Sequence, residues 1–392
     1  MTPGETSFVK FSPPLIGEAE IAEVVATLRS DWITAGPKTR RFEQDFQDYV
    51  RAPGALGLNS CTAALHTTLL TLGIGQGDEV ITTPLTFAAS INVIEHVGAT
   101  PVLVDVASDT LNISEEQIEK AITPQTRAII AVHFAGHPVE LDTIKAIADQ
   151  HRLDLIEDAA HALGASYKGV PIGGKGNPTA FSFYATKNLT TGEGGMLTGN
   201  PEFLDKARIM SLHGLSRQAW QRHEEGGSWR YDVAQPGFKY NMTDIQAAIG
   251  IWQLKKFEQI QARRQQIYHM YLDAFNHMGE IELPVIRTNV KHAWHLFCLR
   301  LNTNYLTIGR DQFINELTQR KIGTSVHFIP IHLHSYYARK YGYKPLDFPK
   351  AHGSYERILS LPLNAKMSDD EVGRVIEAVD DIVCLKRRRA AA

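Results

Sequence analysis

Asp158 closes the apolar run Leu153-Asp-Leu-Ile-Glu-Asp158, and Lys187 follows 29 residues later in the polar, glycine-rich stretch Ser182-Phe-Tyr-Ala-Thr-Lys187-Asn-Leu-Thr-Thr-Gly192-Glu-Gly-Gly195. Taken singly, a lysine in such a loop is more often a solvated charge, and an aspartate after a strand is more often a turn former. Together they match the demands of pyridoxal phosphate (PLP): an amine to form a Schiff base, and a carboxylate to keep the pyridine nitrogen protonated so that the ring can withdraw electrons. Such a cofactor also needs an anchor for a phosphate dianion. The segment Asn59-Ser60-Cys61-Thr62-Ala63-Ala64-Leu65 reads as a helix start, where free N–H groups and the helix dipole favour an anion, although it would equally serve as an ordinary Ser cap. Phe87 follows the apolar run ending near Thr83 and could stack on the ring or simply fill the core.

Competing motifs are weaker. Gly169-Val-Pro-Ile-Gly-Gly174-Lys175-Gly176 superficially resembles a triphosphate-binding loop, but Gly176 stands where the magnesium-binding Ser or Thr belongs, and no helical pattern starts there. No G-x-G-x-x-G follows a strand run, which argues against a dinucleotide dehydrogenase. His327, His332 and His334 form the densest group of the 16 histidines, yet their spacing lacks the H-E-x-x-H logic, so they are read as polar lining of a pocket, with no metal expected.

Short apolar runs must position these residues: 79–83, 101–106, 128–134, 154–157, 180–183 and 196–198 alternate with helical patterns, which predicts an α/β domain with a mostly parallel sheet. Ligands bind beyond the carboxyl ends of such strands, where Asp158 and Lys187 fall. Helical spacing also marks 17–29, through Ile21, Val24, Val25 and Leu28, and 41–49. One long helical stretch, 242 to about 278, is expected to join this part to a compact α+β domain. That domain should hold strand-like 295–301 and 324–328, a helix at 311–320, and a last helix opened by the capping box of Ser368 and Glu371. The expected division is 1–250 and 251–392.

A net charge of −3 gives no field to recruit nucleic acid or a membrane, and no run approaches the roughly 18 apolar residues that span a bilayer. Cys61, Cys298 and Cys384 are scattered and unlike a redox or zinc motif, as expected in the cytoplasm. The first residues lack a basic start with an apolar stretch, so no processing is expected. The run from Lys386 to Arg389 is read as a frayed, solvated helix end.

The segments Asp31-Trp-Ile-Thr-Ala-Gly-Pro37, Glu157-Asp-Ala-Ala-His161-Ala, Ser182 to Gly195 and Gly237-Phe-Lys-Tyr-Asn-Met-Thr-Asp244 resemble, in order, the DegT/DnrJ/EryC1/StrS family of sugar aminotransferases, over nearly the whole chain. Within that family, Lys239-Tyr-Asn241, Ala293-Trp-His-Leu-Phe297 and Ile322-Gly-Thr-Ser-Val-His-Phe328 are most similar to the enzymes that aminate carbon 4 of UDP-4-keto sugars. The resemblance implies the type I fold of PLP-dependent transferases, with a seven-stranded sheet, in a homodimer with shared active sites. It makes Lys187 the Schiff-base lysine and Asp158 the partner of the pyridine nitrogen. Ser182, Cys61 and Thr62 become the phosphate cradle, Phe87 the ring's stacking partner, and His161 the neighbour of its phenolic oxygen. Lys239 or Asn241 would reach the other subunit's phosphate, and Thr34, Lys239, His327 and His332 are expected on the substrate side.

The expected reaction is a ping-pong transfer from L-glutamate to a nucleotide-linked keto sugar, with Lys187 moving the protons. A lysine amine has an unperturbed pKa of about 10.4, so the pocket must lower it. A PLP-dependent sugar dehydratase would have histidine in place of Lys187, and a non-catalytic PLP- or sugar-binding regulator would not require the Asp158 and Lys187 pair.

Overall fold

The computed structural model describes residues 7–215 and 231–388. Arg389, at the end of the basic run, and the first six residues lie outside that range. The larger sheet has seven strands. They are β1 (Ala55–Leu58), β2 (Glu79–Thr82), β3 (Thr100–Leu103), β4 (Thr126–Val132), β5 (Asp154–Asp158), β8 (Thr179–Ser182) and β9 (Gly195–Thr198), arranged β1-β9-β8-β5-β4-β2-β3. The short β6 (Ser166–Tyr167) and β7 (Val170–Pro171) form a hairpin beside it, extended by β11 (Val290–Lys291). Every pairing from β8 to β3 is parallel, and β9 runs against both β1 and β8.

Alternation explains why these strands read as nearly continuous apolar runs. Ile81, Ile129, Ala131, Leu155, Phe181 and Met196 pack on one face with Phe42 and Phe46. Val80, Ala128, Ile130, Ile156, Ala180 and Leu197 pack on the other with Leu65 and Leu69. Helices cover both faces, so neither set of side chains meets water.

A second core surrounds β10 (Ile281–Glu282), β12 (Phe297–Leu301) and β13 (Ile358–Leu361), an antiparallel sheet. The last helix, Asp369–Lys386, lays Val372, Val375, Val379 and Ile382 on it, and the Ser368–Glu371 capping box opens that helix. The helix Phe257–Phe275 serves both cores: Phe257 belongs to the first, and Ile267, Tyr271 and Phe275 to the second.

Three expectations change. The long stretch 242–278 is two helices, Asp244–Lys255 and Phe257–Phe275, interrupted at Lys256, whose φ of −98° and ψ of 7° leave the helical region. Residues 324–328 form no strand; Ser325 makes one isolated bridge to Ser360. The end of the last helix is tied down rather than frayed: Lys386 pairs with Glu316, Arg387 with Glu280, and the Arg388 amide donates to the Tyr305 carbonyl at 2.8 Å.

The helix Glu18–Leu28 turns its apolar stripe outward, with Ile21 48% and Leu28 57% exposed, while Glu20 and Thr27 are buried. Polar bonds hold the inward face, since Glu20 pairs with Lys256 and accepts from Gln253 at 2.7 Å, and Glu23 accepts from the Trp252 indole at 2.8 Å.

Candidate active site

The site lies beyond the carboxyl ends of the parallel strands, where backbone turns deliver one polar residue after each. Asp158 ends β5 and is 5% exposed. Its Oδ2 accepts from the Ser90 hydroxyl at 2.7 Å and its Oδ1 from the Ala160 amide at 3.2 Å. Because Ser90 donates to the carboxylate, its oxygen is left to accept from the Thr86 hydroxyl, 2.8 Å away. The neighbouring Glu157 is braced across to β4: the Val139 amide donates to His133 Nδ1 at 3.1 Å, so the ring proton sits on Nε2 and is donated to Glu157 at 3.0 Å. That brace fixes the strand end on which Asp158 stands.

Lys187 comes from the turn after β8, closed by its amide donating to the Tyr184 carbonyl at 2.9 Å. Burial pushes its amine down to about 8, and the nearby Cys61 and Asp158 only partly oppose this. Ser60 caps the helix Cys61–Thr71, accepting from the Ala63 amide at 3.1 Å. Ser60, Cys61, Thr62 and Ser182 line the same cavity as Asp158 and Lys187, a space of about 480 Å³. Phe87 stands at its mouth, 64% exposed.

Three histidines complete the wall. His161 packs its ring 4.4 Å from that of His295 and leaves Nδ1 without a hydrogen-bond partner among the described residues. His327 bonds through Nδ1 to the Ser360 hydroxyl at 2.8 Å, and burial together with the Lys187 charge lowers it to about 4. All three are kept neutral, His161 and His295 chiefly by burial.

Other predicted residues lie elsewhere. His332 is 1% exposed, donates Nε2 to the Pro345 carbonyl at 3.1 Å and packs on Phe348; the short turn Ile331–Leu333 tucks it inward, away from the cavity lining. Thr34 is exposed outside the cavity, and its carbonyl accepts from the Asp244 amide at 3.0 Å. Lys239 and Asn241 bond to each other beside the end of β1, also outside the cavity.

The structure adds residues that the sequence did not single out. Ser90 and Thr86 had no motif around them. Phe11 and Ser12 arrive from far along the chain: Val9 bridges Ile322, Ser12 donates to the Thr186 carbonyl at 3.0 Å, and Phe11 stacks on His327 at 5.7 Å.

The model of the DegT/DnrJ/EryC1/StrS aminotransferase family matches residues 14–380. The chain belongs to this family. The Methanocaldococcus jannaschii protein MJ1066 is 55% identical over 97% of this chain and 99% of its own. The Bacillus subtilis spore coat polysaccharide biosynthesis protein SpsC is 50% identical over 96% of this chain and 97% of its own. Among solved structures, Spr1654 of Streptococcus pneumoniae, classed as a sugar aminotransferase, superposes in its PMP form with a TM-score of 0.91 at 38% identity, covering 96% of this chain and 99% of that one. Its PLP form gives 0.90.

This aminotransferase therefore uses pyridoxal phosphate, and its cavity fits the group: a capped helix start for an anion, a carboxylate held by two donors, and an amine that burial lowers to about 8. Gly195 is essential to the shape. A Cβ there would lie 2.4 Å from the Ser60 carbonyl carbon and 2.5 Å from the Cys61 nitrogen, pushing the helix start away from the cavity. Gly195→Ala is expected to cost roughly 1–3 kcal/mol, as overpacking does, and to weaken PLP binding, which thermal melts and a cofactor titration would show.

Proposed function

We propose that this aminotransferase moves the amino group of L-glutamate to carbon 4 of a UDP-linked 4-keto sugar, in the cytoplasm, as a homodimer. The observation that carries the reading is the meeting of Lys187 and Asp158 in one cavity with the Ser60-capped helix start; burial also lowers the Lys187 amine to about 8, and a proton carrier works best with a pKa near the operating pH. The 50% identity to a polysaccharide biosynthesis protein, and the neutral polar side chains of Ser12 and His327 in the cavity wall, suited to hydroxyl groups, support a sugar acceptor.

Pyridoxal phosphate, when bound, carries the amino group between the two substrates and draws electrons from the reacting carbon. Lys187 would hold it covalently and carry protons at its Nζ, and Asp158 would supply the charge that keeps the ring nitrogen protonated. Cys61, Thr62 and Ser182 would hold the phosphate, with Phe87 for a ring face, His161 for the phenolic oxygen and His327 for the substrate.

The test is a panel of UDP- and dTDP-linked 3-keto and 4-keto sugars with glutamate, the products resolved by mass and NMR. A UDP-linked 4-amino sugar is expected; amination only at carbon 3, or only of dTDP sugars, would contradict the assignment.

The homodimer is supported by the outward apolar stripe of Ile21, Val25 and Leu28, with Ile33 52% exposed nearby. In it, Lys239 or Asn241 reaches the phosphate of the other subunit, since the Cys61 cradle offers mainly neutral donors and a dianion is best held with a charge-assisted contact. When a Lys187→Ala chain is mixed with a chain altered at both Lys239 and Asn241, activity is expected to reappear, because one site in each mixed dimer carries neither lesion. No recovery after verified subunit exchange would remove these residues from a shared site.

A further inference from the structure

Asn188, the residue after Lys187, is buried at 6% exposure and sits in a chain of amides whose orientations can be deduced. The chain begins at a backbone carbonyl, Leu163 O, which can only accept. Gln261 therefore presents its NH₂ there, at 3.0 Å, and its Oε1 faces Asn188. Asn188 must in turn present its NH₂ to Gln261 Oε1 at 3.3 Å and to a second acceptor-only group, the Ala293 carbonyl, at 2.6 Å. Its oxygen is left for His295 Nδ1, at 2.9 Å. An oxygen can only accept, so Nδ1 of His295 carries the hydrogen.

Burial, with the neighbouring His161, Lys187, Arg264 and His327, holds His295 neutral. Its Nε2 is then an unprotonated lone pair, with no hydrogen-bond partner among the described residues, on a ring that lines the cavity. Arg264 fixes the backbone that carries the ring, donating to the Trp294 carbonyl at 2.8 Å and the His295 carbonyl at 2.5 Å, and the bond to Asn188 orients the ring itself.

We propose that Asn188 is a positioning residue that locks His295 in the Nδ1–H tautomer, making its Nε2 a hydrogen-bond acceptor for a hydroxyl of the amino-accepting substrate. One sequence step thus joins the reacting lysine to the device that orients the group beside it. The substrate part rests on the sugar reading above; the tautomer part does not.

Selective ¹⁵N-histidine NMR of the full-length protein, with and without PLP, tests the tautomer directly, His295→Gln assigning the signal. The wild type is expected to show Nδ1–H and unprotonated Nε2 throughout pH 6–8.5, and Asn188→Leu a mixture of tautomers. A wild-type signal from Nε2–H or from imidazolium would overturn the proposal even if the leucine variant does not fold, and so would an unchanged signal in a folded Asn188→Leu protein. Kinetically, Asn188→Leu should raise KM for the keto sugar about tenfold, the equivalent of one lost hydrogen bond, and more than KM for glutamate. An equal rise in both would refute the substrate role while leaving the tautomer result standing.

Discussion

Lys187→Ala protein is expected to fold and to lose transamination by roughly 10⁴-fold or more, the upper range for removing a group that transfers protons. Two functions vanish with the one amine: covalent capture of the cofactor and movement of the proton at the reacting carbon. The visible absorption of the lysine–cofactor linkage should disappear as well, which separates loss of capture from loss of fold. Near-normal turnover in this variant would remove Lys187 from the chemistry. The wild-type amine, lowered to about 8, carries a sign that can be checked in the apo protein. Its pKa is below that of the unfolded chain, about 10.4. The unfolded state therefore binds more protons between those values, and the Lys187 contribution to stability should rise as pH climbs from about 8 to about 10.4. The alanine variant should lose that slope.

Asp158→Asn should lower turnover by about 10²-fold or more, the scale on which a group in the wrong protonation state acts in acid–base catalysis. The amide is close in size to the carboxylate and can still accept from the Ala160 amide, so the melting temperature should shift little. What it lacks is the negative charge that holds a pyridinium proton. Absorbance titration of the PLP-loaded protein would read this loss independently of turnover. Unchanged turnover would show that another group sets the ring's charge.

Much of this arrangement is legible in the sequence because function sits at strand ends, and strand ends are where apolar runs stop. Asp158 and Lys187 announce themselves that way, and the Ser60 cap does so at a helix start. The losses have physical causes. Strand β1, Ala-Leu-Gly-Leu, has no β-branched residue, so nothing local marks it as a strand; it pairs with β9 along its full length. The break at Lys256 is hidden because Leu254, Phe257 and Ile260 keep helical spacing through it. Periodicity finds the helix Glu18–Leu28 but cannot say what its stripe faces, and there it faces outward. His332 was grouped with His327 by density in the sequence, yet five residues and a tight turn send the two rings to different places. Ser90 and Phe11 carry no local signal at all, since their partners, Asp158 and His327, are 68 and 316 positions away.

The strap from Val9 to Ser12 also bears on the order of events during synthesis. The cradle, Asp158 and Lys187 all lie on one stretch of chain, from β1 to β9, and can assemble once that stretch has been made. The wall that closes over them is built from both extremes, with Phe11 against His327 and with Leu361 and Leu363 beside it. Contacts of such separation form late, because loop closure must precede any gain from them. A nascent chain thus carries the cradle without this part of its wall until the residues of the last third have been made.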